Sequence, residues 1–140
     1  MAIEWTRDIE LGVDRIDNQH KELIALINKV FDACSLGEGK QTVGDALNFA
    51  VSYTLVHFKS EEDLMRERNY PEYVNHKPLH EEFIRDISAL KSEFDKAGPT
   101  ISIVLKLNRL LVDWLIKHIK TEDRKIANFL KSRGQAEFIE

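Results

Sequence analysis

Long amphipathic stretches separated by very few chain breakers constrain this sequence more than any other feature. Turn signals cluster at three internal places: Ser35 to Lys40, which holds two glycines, Asn69-Tyr70-Pro71, and Ala97-Gly98-Pro99-Thr100. Gly134, behind Lys131 and Arg133, marks a helix C-terminus. Between the breaks there is no alternating β pattern. Apolar and histidine positions recur instead at steps of three and four, the spacing of one helix face. The first segment carries Ile16, His20, Leu23, Ile27, Val30 and Cys34, and the second Val43, Leu47, Ala50, Thr54, His57, Glu61 and Leu64. The third carries His76, His80, Phe83, Ile87, Leu90 and Phe94, and the fourth Leu111, Leu115, His118, Ile126 and Phe129. This spacing predicts helices over approximately 16–35, 42–66, 73–96 and 100–132. Four amphipathic helices with short connections pack as an all-α, antiparallel up-down four-helix bundle. Residues 1–15 remain as an N-terminal arm, with Trp5 expected to pack on the bundle. Asp17, Thr42 and Thr100 are the N-cap candidates. Pro78 cannot donate to residue 74, so the third helix must start near Tyr73 or bend there.

At 140 residues the chain suits one domain, 1–140, with a substantial core. Its net charge of −4 is spread along the chain, so nothing in its electrostatics points to nucleic acid as a partner. No apolar run approaches the ~20 residues that cross a bilayer, so no membrane association is expected. The opening residues M-A-I-E-W-T-R-D contain no apolar signal region. A lone cysteine, Cys34, excludes an internal disulfide and is read as a core residue. The cytoplasm is the simplest location these features suggest. They leave the choice between a monomer and a small homo-oligomer open.

All five histidines fall on the inward stripes. A single histidine on an apolar face is more often a hydrogen-bonded core residue than a ligand. Five imidazoles and a carboxylate in one small core are different, because their burial costs several kcal/mol unless something satisfies them together. A metal does so at one stroke. His57/Glu61 and His76/His80 are i, i+4 pairs, stacked about 6 Å apart on a helix face, while His20 and His118 complete the set from the other two helices. Five imidazoles and two carboxylates are more donors than one transition ion normally takes. Two ions sharing both carboxylates and one solvent-derived oxygen would split the histidines three and two. That leaves one open position, suited to a small diatomic ligand. These donor types fit iron, manganese or zinc. Oxygen-activating bundle enzymes use more carboxylates. The mostly neutral donor set here favours reversible binding over O–O cleavage.

The ordered motifs D-N-Q-H-K (Asp17 to Lys21), H-F-K-S-E (His57 to Glu61), H-K-P-L-H (His76 to His80) and W-L-I-K-H-I-K-T-E-D (Trp114 to Asp123) resemble those of the hemerythrin family, in particular its single-domain bacterial members. The resemblance runs from Trp5 to about Leu130. It implies a non-haem di-iron centre in which His76, His80 and His118 hold one iron, and His20 and His57 the other. Glu61 and Asp123 would bridge the two, with an oxo or hydroxo group as third bridge. It further implies reversible dioxygen binding at the iron with two histidines, as carrier, store or sensor, and no enzymatic role. A di-iron oxidase or peroxidase, or iron handling or nitric oxide binding, are the alternatives. Spacing and family pattern disagree at one point. Asp123 lies five residues after His118, an offset of about 140° on a regular helix, whereas Glu122 at i+4 lies beside the histidine. The family pattern H-x-x-x-x-D assigns Asp123, which requires a π-bulge near residues 118 to 123. Trp114, Leu111 and Leu115 lie near His118 and suit either a pocket wall or core packing. Tyr53 is read as a packed tyrosine.

Overall fold

The computed structural model describes residues 3–134 and contains no strand among them. Helix α1 spans Asp14–Ser35, α2 Lys40–Glu67 and α3 Tyr73–Ala97. The fourth helix is unbroken but changes its winding. It is α-helical over Ile101–Leu107, π-helical over Asn108–Trp114, α-helical over Leu115–His118, π-helical over Ile119–Asp123 and α-helical over Arg124–Ser132. The four pack in sequence as an up-down bundle. No helix among the described residues is long and apolar enough to cross a membrane.

The first two helices start at Asp14 and Lys40, two residues ahead of the apolar spacing, and this corrects two of the expected caps. Val13 and Gly39 occupy the N-cap positions and offer no side-chain acceptor. Asp17 sits inside the first turn of α1. Its carboxylate reaches back to accept the Leu11 and Gly12 N–H groups at 2.8 and 2.9 Å, tying the arm to the helix. Thr42 likewise lies within the first turn of α2. Thr100 does cap the fourth helix, its hydroxyl accepting from the Ile103 N–H at 3.3 Å. Helix α3 begins at Tyr73, so Pro78 sits in its second turn. The carbonyl it leaves unpaired belongs to Val74, a residue 72% exposed to water.

The arm is integral to the bundle. Ile9, Leu11 and Val13 are fully buried, and Trp5 packs on the core with the Lys21 ammonium 5.1 Å from its ring centroid. Gly12 adopts φ +80°, and a Cβ there would meet Lys131 Nζ at 2.7 Å. The Arg124 guanidinium donates to the carbonyl oxygens of Asp8 and Glu10.

The interior consists of two apolar bodies with a polar layer between them. The larger includes Leu23, Ile27, Val30, Val43, Leu47, Phe83, Ile87, Phe94, Leu107 and Leu111. The smaller gathers Leu11, Val13, Ile16, Leu64, Met65, Tyr70, Ile126, Ala127 and Leu130. On each helix the residues between these two sets are the histidines and carboxylates. Cys34 is half-buried against the larger body, where burial pushes its thiol up, and Tyr53 packs there too.

Candidate metal centre

Each helix delivers its donors to this layer. Helix α1 supplies His20, α2 His57 and Glu61, α3 His76 and His80, and the fourth helix His118 and Asp123; none is more than 4% exposed. Helices α2 and α3 achieve this with ordinary i, i+4 geometry, and α1 has only one donor to place. The fourth cannot. Its buried residues include Ile103, Leu107, Leu111, Leu115, Ile119, Asp123 and Ala127, seven positions each four residues apart. On a regular α-helix every step of four over-rotates by about 40°, so the stripe would drift about 240° over that length. The two π-helical stretches take up more residues per turn and hold the stripe on one face. In the second of them the Thr121 hydroxyl donates to the Lys117 carbonyl at 2.7 Å, occupying a group that an ordinary turn would use. Asp123 thereby points inward. Glu122 points outward, paired with Lys125 at 3.5 Å.

The donor atoms form two groups, each with all its atoms within 4.8 Å of one another. One comprises His76, His80, His118, Glu61 and Asp123, the other His20, His57, Glu61 and Asp123. The two carboxylates belong to both. Glu61 Oε1 lies 3.0 Å from His76 Nε2 and 3.2 Å from His80 Nε2, and its Oε2 lies 3.3 Å from His57 Nε2. Asp123 Oδ2 lies 3.0 Å from His20 Nε2, and its Oδ1 lies 3.2 Å from both His76 and His118 Nε2. All seven residues singled out in the sequence therefore meet in one place.

Residues outside this set orient it, and the stripe pattern did not reveal them. His57 Nδ1 lies 2.6 Å from Gln19 Oε1, and the amide is turned that way because its Nε2 donates to Ser60 Oγ at 3.1 Å. His80 Nδ1 lies 2.8 Å from Glu62 Oε2. Phe58 stacks on His80 with centroids 3.9 Å apart, and Trp114 stacks on His118 at 4.7 Å. Trp114 thus walls the centre while also packing on the core.

A metal fits these residues. An amide or carboxylate oxygen can only accept, so Nδ1 of His57 and of His80 carries the hydrogen. With a metal bound, these rings would turn bare Nε2 lone pairs to the centre. There His57 Nε2 faces His20 Nε2, and His80 Nε2 faces His76 Nε2, both at 3.0 Å. Lone pairs and carboxylate oxygens packed together need a cation among them. Glu61 Oε2 and Asp123 Oδ1 are buried with no well-directed hydrogen bond, their neighbours being imidazole Nε2 atoms at 3.3 and 3.2 Å, as atoms awaiting an electrophile would be.

Without a metal, protons take its place. Burial is the largest influence on His76 and opposes its charge. Hydrogen bonds to Asp123 and Glu61, with their negative charges, outweigh it and push the imidazole up to about 10. His57 is raised in the same way, burial opposing and Glu61 prevailing. Burial and mutual repulsion work against ionisation of Glu61, but hydrogen bonds from His57, His76 and His80 hold it well below the usual carboxylate range. Asp123 is also lowered, burial opposing while His118, His20 and His76 prevail.

Known proteins resemble this chain over most of its length. The family model described as the hemerythrin HHE cation binding domain matches residues 11–130. The bacteriohemerythrin of Stenotrophomonas maltophilia (strain R551-3) is 35% identical over 128 residues, covering 91% of this chain and 81% of that protein. The bacteriohemerythrin of Pseudomonas aeruginosa (strain LESB58) is 38% identical over 119 residues, covering 85% and 75%. A crystal structure of wild-type hemerythrin superposes with a TM-score of 0.81 at 26% identity, covering 91% of this chain and 97% of that one. The match of sequence and fold over nearly the whole bundle shows that this chain belongs to the hemerythrin family.

Proposed function

We propose that this centre holds two iron ions and that the protein binds dioxygen reversibly there, as a binding protein and not an enzyme. The observation that carries the reading is the sharing of Glu61 and Asp123 between two unequal sets of imidazoles. His76, His80 and His118 would hold one ion, and His20 and His57 the other. Bound iron would supply the reversible electron changes on which dioxygen binding depends. The lobe with one imidazole fewer is the one left able to accept a diatomic ligand. The chain's own residues keep the donor layer dry. Leu111, Leu115 and Ile119 are fully buried along the fourth helix, and Phe58 of α2 covers the layer where it stacks on His80. A water-poor wall of this kind hinders proton entry and loss of a reduced ligand. Five neutral imidazoles against two carboxylates stabilise high oxidation states weakly, which supports binding over bond cleavage.

Metal-free protein loaded with ferrous iron without air, then exposed to air and purged, tests the reading. A visible charge-transfer band that appears with air and disappears on purging is expected. Rapid, irreversible oxidation with steady consumption of an added reductant would replace this reading with an oxidase or peroxidase.

A further inference from the structure

The two lobes are backed by charges of opposite sign. On one side, the Glu62 carboxylate accepts the His80 Nδ1–H at 2.8 Å, and the Glu62 side chain is only 16% exposed. On the other, His57 Nδ1 donates to the neutral Gln19 amide at 2.6 Å. Gln19 is held by Ser60, which also accepts from the Arg15 guanidinium at 2.7 Å, so this chain of hydrogen bonds ends on a cation. The second imidazole of that lobe, His20, has a buried Nδ1 with no acceptor at all. An anionic acceptor behind a ligating imidazole makes the opposite nitrogen a stronger donor, whereas an amide backed by a guanidinium does not.

We propose that Glu62 is a positioning residue that makes the His76–His80–His118 lobe the one that more readily holds an oxidised metal ion. The inference rests on the di-iron reading. Loss of one electron from that lobe adds one positive charge to a buried site. The nearby Glu62 charge offsets it through the His80 ring, in surroundings where water screens little. The Arg15 charge, relayed by Ser60 and Gln19, opposes the same loss on the His20–His57 side. Electrons are thereby withdrawn first from the lobe with the full complement of imidazoles. The lobe with the open position keeps its reduced ion longer.

Spectroelectrochemical titration of the iron-loaded protein, with soluble one-electron mediators, tests this. Glu62→Gln keeps the hydrogen bond and removes the charge. Its first midpoint potential should rise by about 59 mV, a tenfold shift in the one-electron equilibrium. Arg15→Gln should instead lower the second midpoint, that of the His20–His57 lobe. A merely structural role would not move the two variants in opposite directions. Zinc loading of each variant, which is redox-silent, reports whether the donor set is intact. An unchanged or lowered potential in Glu62→Gln that still holds two ions overturns the proposal. A Glu62→Gln chain that no longer holds two ions also overturns it, because Glu62 would then be needed to assemble the lobe and not to tune it. A wild-type chain that never takes up two irons refutes the di-iron reading itself, an outcome separate from either potential.

Discussion

At the residue scale, a donor is useful only if its ring is turned, and here the turning is done from behind. His57 faces inward because Gln19 holds its far nitrogen, and His80 because Glu62 does. Replacing His57 by alanine takes one of two imidazoles from its lobe while leaving both apolar bodies intact. Metal content is expected to fall from two ions per chain to one, with the far-ultraviolet circular dichroism of the bundle unchanged. Retention of both ions in His57→Ala would remove this residue from the donor set. Six of the seven donors were legible in the sequence because each lies on an apolar stripe where a charged or titratable group is conspicuous; Asp123 lies off its stripe on a regular helix and was reached only through the family pattern. Gln19 and Glu62 were not legible. Each directly neighbours a donor, and adjacent residues on a helix point about 100° apart, so a stripe reading passes over them. Asp17 was misread for a related reason: an aspartate near a helix start suits a cap, but here the carboxylate faces the arm's N–H groups.

At the scale of elements, the fourth helix sets the chemistry of the centre. Spacing alone favours Glu122 as the partner of His118, and only the π-helical stretch Ile119–Asp123 brings Asp123 around instead. The family pattern predicts that stretch. The earlier one, Asn108–Trp114, was also written in the chain, as an unbroken ladder of buried residues four apart from Ile103 to Ala127. Such a ladder fits no regular α-helix, but it shows only when the whole segment is scanned for one period and not for a mixture of three and four. Two substitutions separate the carboxylates. Asp123→Ala should abolish binding of the ion pair, because both lobes lose a shared donor. Glu122→Ala should leave metal content unchanged, since its carboxylate faces Lys125 at the surface. Metal analysis of the two purified variants checks this, and the opposite ranking would mean that the turn is wound as an ordinary α-helix.

At the scale of the whole molecule, four helices and an arm bury two apolar bodies and leave a charged layer between them. The bundle was readily legible because amphipathic periodicity and sparse breakers agree along the whole chain. The arm's detailed ties were not, since Arg124 and Lys131 meet it from more than 100 residues away. The charged layer makes the metal-free protein sensitive to pH. His76 is raised from 6.5 to about 10, so its contribution is complete below 6.5 and disappears as the pH climbs through about 10. Glu61 and Asp123 are lowered from 4.5 and 3.8, so their contributions are complete above those values and vanish as the pH falls below them. Thermal unfolding of metal-free protein should therefore show its highest midpoint between pH 4.5 and 6.5, with decline on both sides. A midpoint that rises steadily from pH 6.5 to 10 would contradict this. Metal and protons compete for the same nitrogens, so loading should release protons and tighten as the pH rises over that same range. The claim beneath all of this is that one layer of side chains forms two metal seats with two carboxylates in common. Native mass spectrometry of metal-free chain titrated anaerobically with ferrous iron measures it directly: two ions per chain at saturation are predicted, and saturation at one ion, or at none, would contradict it.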